Sequence, residues 1–583
     1  MFKNLLNRFL PPAPAPAREP ARASEPAPAA ADDVAGADAL ITQGNALEDA
    51  GQPASAEALY RQAVAKAPGH ARAHLNLGIV LEALGDPAGA AAAFEAVLAI
   101  DPQHPFGNYN YARLLVVQRE LDRAEALVLA ALRARPDFPQ ATELLARVLR
   151  DQGFARESLA PLRQVVERDP GNFLHRSFEL FVMNYDDDSR AEPLYRRHVD
   201  YGRLLESAVP QRFSQYPARG DARRRLRVGY LSSDFSHHPV GFFILPVLEH
   251  HDAAQVEVFC YSSDTKRDEM TERMRAAAHH WRDVAALSDT ELADAIHADG
   301  IDVLVDLIGH TGLPRMGVFC ARPAPAQATW LGYLNTSGLT RMDFRLSDDR
   351  CDPLDVAQPL HTERLVHLPV SQWCYRPMAD QAVDVVPPFE RNGHVTFGSF
   401  NASIKVTPQA CRRWAQVLLR VPGSRLVVGA ITSMRKQDAI RREIEGQGVA
   451  GERLVFLPRV PIADYLDLFN QVDITFDTWP YGGGTTTFDS LWMGAPVVAA
   501  LGDLPVARSA ASLLTALDLD DWIAASPDEF VDVAVARASD RDTLRELRRE
   551  LRPRLQASPL TDLPRFTRDL EAALRAMWLE KTR

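Results

Sequence analysis

The sequence predicts an all-helical solenoid followed by two doubly wound α/β domains. Three observations carry that expectation. Pro68, Pro102, Pro136 and Pro170 recur at a constant interval of 34 residues. From Arg223 onward, short apolar runs alternate with helix-length amphipathic stretches, the pattern of parallel sheets covered by helices. One segment, Val472–Asp503, reads as strand, glycine loop, helix and strand in succession.

The chain has 583 residues, room for three or four domains. Its 65 basic and 77 acidic residues leave a net charge of −12, which argues against general nucleic-acid binding. Cys260, Cys320, Cys351, Cys374 and Cys411 are scattered and lack CxxC spacing. They read as free thiols of a reducing compartment, which points to the cytoplasm and away from a thiolate metal site. No apolar run approaches the roughly 20 residues that would span a bilayer. Residues 1–36 read as a disordered Pro/Ala-rich tail and linker. Met1–Leu10 is basic and partly apolar but stops at Pro11-Pro12, so it lacks a signal-peptide core. It reads as a frayed tail, with contact to a membrane or a partner as the alternative.

The proline interval has companions at other positions of the repeat. Gly44, Gly78, Ala112 and Ala146 are the small residues where paired helices cross. Ala56, Ala90, Ala124 and Ser158 are small on the second helix, and Tyr60, Phe94, Val128 and Leu162 fill the gap between units. A 34-residue period held over four units, residues 37–170, is the tetratricopeptide pattern. Each helix pair exposes an apolar face that only its neighbour can cover, so the units stack into a curved array. Its concave face suits a protein or peptide partner. The alternatives for the array are a spacer or an arm for a homodimer. Residues 171–222 read as a helical connector with an acidic loop, Asp186-Asp187-Asp188.

Residues 223–390 are expected to form the first α/β domain. Strands are expected at Leu226–Leu231, Val256–Tyr261, Ile301–Leu307 and Ala326–Tyr333, and helices at about Phe242–Glu249 and Thr290–Ala298. Asp352–Glu390 is Pro-rich and reads as an irregular hinge. Residues 391–583 are expected to form the second α/β domain with C-terminal helices. Its strands fall at His394–Phe400, Arg425–Val428, Leu454–Leu457, Ile474–Asp477 and Val497–Ala500, with a helix at about Pro408–Leu419.

Ligands bind such sheets at the carboxyl ends of their strands. The glycine loop Tyr481-Gly482-Gly483-Gly484 lies at one of those ends. Glycines there would permit positive φ and close approach to a ligand. Thr485, Thr486 and Thr487 open the following helix, where a Thr hydroxyl can cap free N–H groups. The remaining N–H groups and the helix dipole make an anion site. Asp489, one turn in, can accept from sugar hydroxyls. Such a loop is read either as a tight turn or as the cradle of a nucleotide diphosphate. His310, in a loop after a strand, is a further candidate for sugar contact or loop capping.

Four repeats followed by VGYLSSDFSHHPVG, RPAPAQATWLGYLNTSG, FGSFNASIKVTP and YGGGTTTFDSLWMGAPV resemble the O-linked N-acetylglucosamine transferase family, glycosyltransferase family 41, including its SPINDLY branch. The resemblance runs from about Ala37 to the end. It implies the two-domain GT-B architecture and an inverting, metal-independent enzyme that glycosylates Ser or Thr of proteins. His238 matches the family's active-site His near the acceptor. Lys405 matches the Lys on the diphosphate, and Asn401 lies in the same segment. Gly483, Gly484, Thr485, Thr486 and Thr487 fall on the phosphate-binding turn. Asp489 matches the acid that holds the ribose, and Tyr465 sits where animal members place a His against the base. Two departures, Ala402 for an amide side chain and Gly484 for a His of animal members, leave base and sugar open.

Transfer from a nucleotide sugar builds negative charge on the leaving diphosphate. Lys405 and the amides around Thr485–Thr487 suit that charge, and no DxD motif or His/Asp cluster for a metal is visible. No cofactor is expected beyond the donor, UDP-GlcNAc by the resemblance. His238 has the pKa of a general base, or it only positions the acceptor. The competing functions are a flagellin-type transferase using a CMP-nonulosonic acid, a non-catalytic adaptor, and a transferase for small molecules.

Overall fold

The computed structural model describes residues 31–216 and 222–582. One compact unit runs to Val165 and includes Ser433–Arg435; the other holds Val166–Thr432 and Lys436–Arg583.

The repeat unit is built of paired helices, beginning with Ala31–Asp49 and Pro53–Lys66. The first helix thus starts six residues before the repeat boundary expected at 37, and residues 31–36 belong to it. The rest of the tail expected over 1–36 lies outside the described residues. A Cβ built on Gly44 would lie 2.4 Å from the Tyr60 ring, and one on Gly78 2.5 Å from the Phe94 ring. In the third and fourth units alanine replaces glycine, and the facing residues shrink to Val128 and Leu162. Ala112, Ala146, Val128 and Leu162 are all fully buried. The helix crossing therefore keeps its packing by exchanging volume between two positions. Pro68, Pro102 and Pro136 each follow the C-cap of a second helix, where the chain must stop donating helical hydrogen bonds.

The second unit carries two all-parallel sheets. The first has the order β3-β2-β1-β4-β5-β6-β7. Its strands are β1 Leu226–Ser232, β2 Val256–Ser262, β3 His280–Asp283, β4 Val303–Asp306, β5 Ala326–Thr329, β6 Phe344–Ser347 and β7 Arg364–His367. The second has the order β10-β9-β8-β11-β12-β13. Its strands are β8 Thr396–Ser399, β9 Arg425–Gly429, β10 Leu454–Leu457, β11 Ile474–Phe476, β12 Val497–Ala500 and β13 Ile523–Ala524. Both orders reverse beside their first strand, between β1 and β4 and between β8 and β11. Those are the switch points where crevices open outside the strand ends.

Two expectations need correction. Asp352–Glu390 is not all irregular: it contains β7, whose residues Arg364–His367 pair with β6. The connector comprises two helices. Its helices Phe173–Met183 and Ala191–Ala208 pack on the first α/β domain, where the Asn184 amide donates to Tyr333 Oη at 2.7 Å and His198 Nε2 lies 2.7 Å from the same oxygen. A Cβ on Gly202 would sit 1.8 Å from the Gly338 carbonyl oxygen, so helix and loop meet backbone to backbone. The last helix, Leu563–Thr582, returns to the first domain rather than staying with the second. Glu571 pairs with His251 at 2.8 Å, Lys581 with Asp343 at 2.7 Å, and Arg224 lies over the Trp578 ring.

Candidate active site

The end of β8 and the end of β11 meet at the glycine loop. Lys405 closes a single 3₁₀ turn, Ser403–Lys405, after β8. Its Nζ donates to the Gly482 carbonyl at 2.6 Å and lies 4.2 Å from the centre of the Tyr481 ring. Asp477 follows β11, and its Oδ1 accepts from the Gly483 N–H at 2.6 Å. Burial lowers the Lys405 ammonium to about 8 and raises the Asp477 carboxyl to about 7, each opposed by the charge of the other. Asn401 is buried and its Oδ1 accepts from Thr486 Oγ1 at 3.0 Å, while Thr487 Oγ1 donates back to the Gly483 carbonyl at 3.0 Å. Asn401, Asp477, Thr486 and Thr487 line one pocket.

The glycines serve this site in a way the sequence did not suggest. None of Gly482, Gly483 and Gly484 takes the left-handed conformation. Gly482 and Gly483 are needed for space, because a Cβ would lie 3.0 Å from Asp477 Oδ2 and 3.0 Å from Thr487 Oγ1 respectively. Gly484 differs, since a Cβ there meets nothing within 4 Å. It is the N-cap of the helix Thr485–Trp492, and no side chain caps that helix. The threonines therefore do not play the expected capping role: they lie inside the first turn and leave its leading N–H groups facing outward with the positive end of the helix dipole.

Asp489 and Tyr465 come together, but with a third partner. Asp489 is 1% exposed; Tyr375 Oη donates to its Oδ1 at 2.8 Å and Tyr465 Oη to its Oδ2 at 3.2 Å. Burial raises this carboxyl to about 7. A ribose hydroxyl would have to share these oxygens or displace Tyr465, whose bond is the longer. Tyr465 packs edge-on against Phe469 at 5.3 Å.

His238 is the N-cap of the helix Pro239–His250, after β1. Its Nδ1 accepts from the Val240 N–H at 3.3 Å and lies 3.8 Å from Asp234 Oδ1. These partners demand opposite tautomers: the cap bond makes Nε2 a donor, and a proton given to Asp234 would make Nε2 a base. The side chain is 43% exposed, and burial of the ring lowers its pKa against the pull of Asp234. The same helix packs Phe243 against Phe488 of the glycine-loop helix, ring centres 5.9 Å apart.

His310 is buried and already hydrogen-bonded within the protein. It is 2% exposed, with Nδ1 2.7 Å from Ser177 Oγ of the connector and Nε2 3.0 Å from the Ser337 carbonyl. Burial lowers it to about 3, so it stays neutral and fastens the connector to the domain. Sequence reasoning missed Asp477, Tyr481 and Tyr375. Asp477 had a readable signal, an acid at the carboxyl end of a buried strand; Tyr375 had none.

A model of glycosyl transferase family 41 matches residues 205–375 and 390–570, which contain His238, Tyr375, Lys405, Tyr465, Asp477, the glycine loop and Asp489. The chain belongs to glycosyl transferase family 41. Two tetratricopeptide-repeat models match residues 41–105 and 81–148 of this family 41 member. It is 37% identical over 408 residues to a probable UDP-N-acetylglucosamine–peptide N-acetylglucosaminyltransferase SPINDLY of Solanum lycopersicum, covering 68% of this chain and 43% of the relative. The SPINDLY relative of Oryza sativa subsp. japonica is equally similar, with 44% of its length covered. The chain thus spans less than half the length of these relatives. It is also similar to the structure of a Thermobaculum terrenum O-GlcNAc transferase mutant, with TM-score 0.80 and 33% identity over 88% of this chain and 98% of that one. That match agrees with the repeats and the two parallel sheets seen here.

Proposed function

We propose that this family 41 member is an inverting, metal-independent protein O-glycosyltransferase. It moves a sugar from a nucleotide diphosphate donor, UDP-GlcNAc in the first instance, to Ser or Thr of a protein held by the repeats. The observation that carries the reading is the convergence of the Lys405 ammonium and the uncapped start of the Thr485–Trp492 helix on one glycine loop. In the reaction the acceptor oxygen attacks the anomeric carbon, the bond to the diphosphate breaks, and charge passes to the leaving group. Both donors of positive potential stand there before the reaction begins. In this reading His238 either orients the acceptor hydroxyl or, with Asp234 on Nδ1, takes its proton. The printed names of the relatives support UDP-GlcNAc. A CMP-nonulosonic acid is kept as the second donor, to be separated by the test below.

The first test is thermal unfolding with UDP, GDP and CMP. A ligand that binds only the folded state raises its stability by mass action. UDP is expected to raise the midpoint most; a larger shift with CMP would replace the donor, and no shift with any of the three would overturn the reading.

Transfer is also expected to survive EDTA, measured as sugar incorporated into a client or peptide. Complete loss restored by Mg²⁺ or Mn²⁺ would sink the metal-free mechanism.

A pH prediction follows from Lys405. Its lowered pKa means the ammonium is charged below about 8 and neutral above. The kcat/KM profile, which reports the free enzyme, should therefore fall as pH rises through about 8. In the donor complex the diphosphate holds the proton on, so the alkaline limb of kcat should lie higher. Coincident limbs would mean that Lys405 does not touch the diphosphate.

A further inference from the structure

We propose that Tyr185, on the acidic loop of the connector, is a positioning residue that fixes Lys405 through Tyr481. The inference rests on the diphosphate role proposed above for Lys405. Tyr185 follows the helix Phe173–Met183 and is 6% exposed. Its ring stacks on Tyr481, with centres 4.6 Å apart and planes 6° from parallel, and Phe181 supports it edge-on at 5.1 Å. Tyr481 heads the glycine loop and carries the Lys405 ammonium over its ring at 4.2 Å. One aromatic ring therefore touches the connector, holds the lysine and leads into the carbonyl that accepts the lysine's hydrogen bond. Asp187 ties the same connector loop to the second α/β domain, its Oδ2 accepting from the Gln409 N–H at 3.2 Å. Gln409 stands four residues beyond Lys405, at the start of the helix Pro408–Arg420.

A cation stabilises a leaving group best when it is already in place. Aromatic stacking orients Tyr481, and the face of that ring attracts an ammonium. With the Tyr185 ring gone, Tyr481 can turn, and Lys405 keeps its charge but loses its fixed position. A misplacement of about 1 Å in such a group can cost up to about 10²-fold in rate.

The test uses the full chain and the variants Tyr185→Leu and Tyr185→Phe, each alone and combined with Lys405→Ala. The readouts are kcat and KM for UDP-GlcNAc hydrolysis, affinity for UDP, and the thermal unfolding midpoint. Tyr185→Leu is expected to lower kcat about 10-fold, with a smaller change in KM. Tyr185→Phe keeps the ring and should recover most of that loss. On top of Lys405→Ala, Tyr185→Leu should add almost nothing to the loss in rate or in UDP affinity, because the group it positions is absent. Losses that multiply would show that the residue only packs, and a Tyr185→Phe variant as slow as Tyr185→Leu would show that the hydroxyl and not the stacked ring sets Tyr481; either result would overturn the inference. Should Tyr185→Leu fail to fold, Tyr185→Met carries the same test. A Lys405→Ala variant with wild-type rate and UDP affinity refutes the diphosphate role itself. A large effect of Lys405→Ala beside an indifferent Tyr185→Leu refutes only this inference. UDP affinity tests the same non-additivity without turnover, and that arm does not depend on the sugar.

Discussion

Replacing Lys405 by alanine is expected to slow transfer by about 10²-fold or more, while the protein stays folded. The ammonium is set against the Gly482 carbonyl and the Tyr481 ring, at the switch point between β8 and β11. A preorganised donor aimed at developing charge is worth ~2.7–4 kcal/mol in a transition state. Its removal costs the fold little. Burial already disfavours the charge on Lys405, as its lowered pKa shows, so deletion relieves a desolvation penalty. Asp477 then loses its nearby cation, and its carboxyl, already pushed up by burial, takes a proton rather than leaving a bare charge in the site. Single-turnover transfer and the thermal midpoint would be measured together. A variant that keeps more than about a tenth of the wild-type rate would contradict the role.

Much of this architecture was readable because local packing leaves a trace in residue size. The crossing residues Gly44 and Gly78 face aromatic rings, and where the later units carry Ala112 and Ala146 the repeat carries Val128 and Leu162 in place of those rings, so the repeat shows in size as well as in period. The strands Leu454–Leu457 and Val497–Ala500 stand where apolar runs placed them. β6 and β7 escaped because Arg345 and Arg364 break their short apolar runs, and β7 lies in a Pro-rich stretch that conceals its pairing with β6. The site was legible through its backbone but not through its long-range partners. His310 looked like a ligand because it follows β4, and only Ser177, far back in the connector, reveals it as a buried fastening. Asp489 looked like a free acceptor for ribose, and Tyr375, from the other α/β domain, occupies one of its oxygens. The glycine loop was read for positive φ, and its need is for room beside Asp477 and Thr487. Nothing local in a sequence announces a contact made across a hundred residues.

The same long-range contacts decide where the repeats can be removed. A chain beginning at Val166 keeps both connector helices, and with them Ser177 on His310, Asn184 and His198 on Tyr333, and the close approach of Gly202 to Gly338. A chain beginning at Arg223 loses all of these and leaves His310 and Tyr333 without their partners. The first is expected to bind UDP about as tightly as the full chain, since Lys405, Asp477 and the glycine loop lie wholly in the second unit. The second is expected to fold poorly, because buried polar groups left unpaired cost about 1–3 kcal/mol each. The Val166 chain should also separate recruitment from chemistry. Its transfer to a short peptide should change little. Transfer to the native client should fall by about 10²-fold, the gain in local concentration that a tethered partner brings. UDP affinity, peptide transfer and client transfer would be measured on all three chains, with circular dichroism to establish folding. Equal losses in every assay from a folded Val166 chain would mean that the repeats complete the active site. Client transfer at the full-length rate would mean that they serve another purpose, such as assembly.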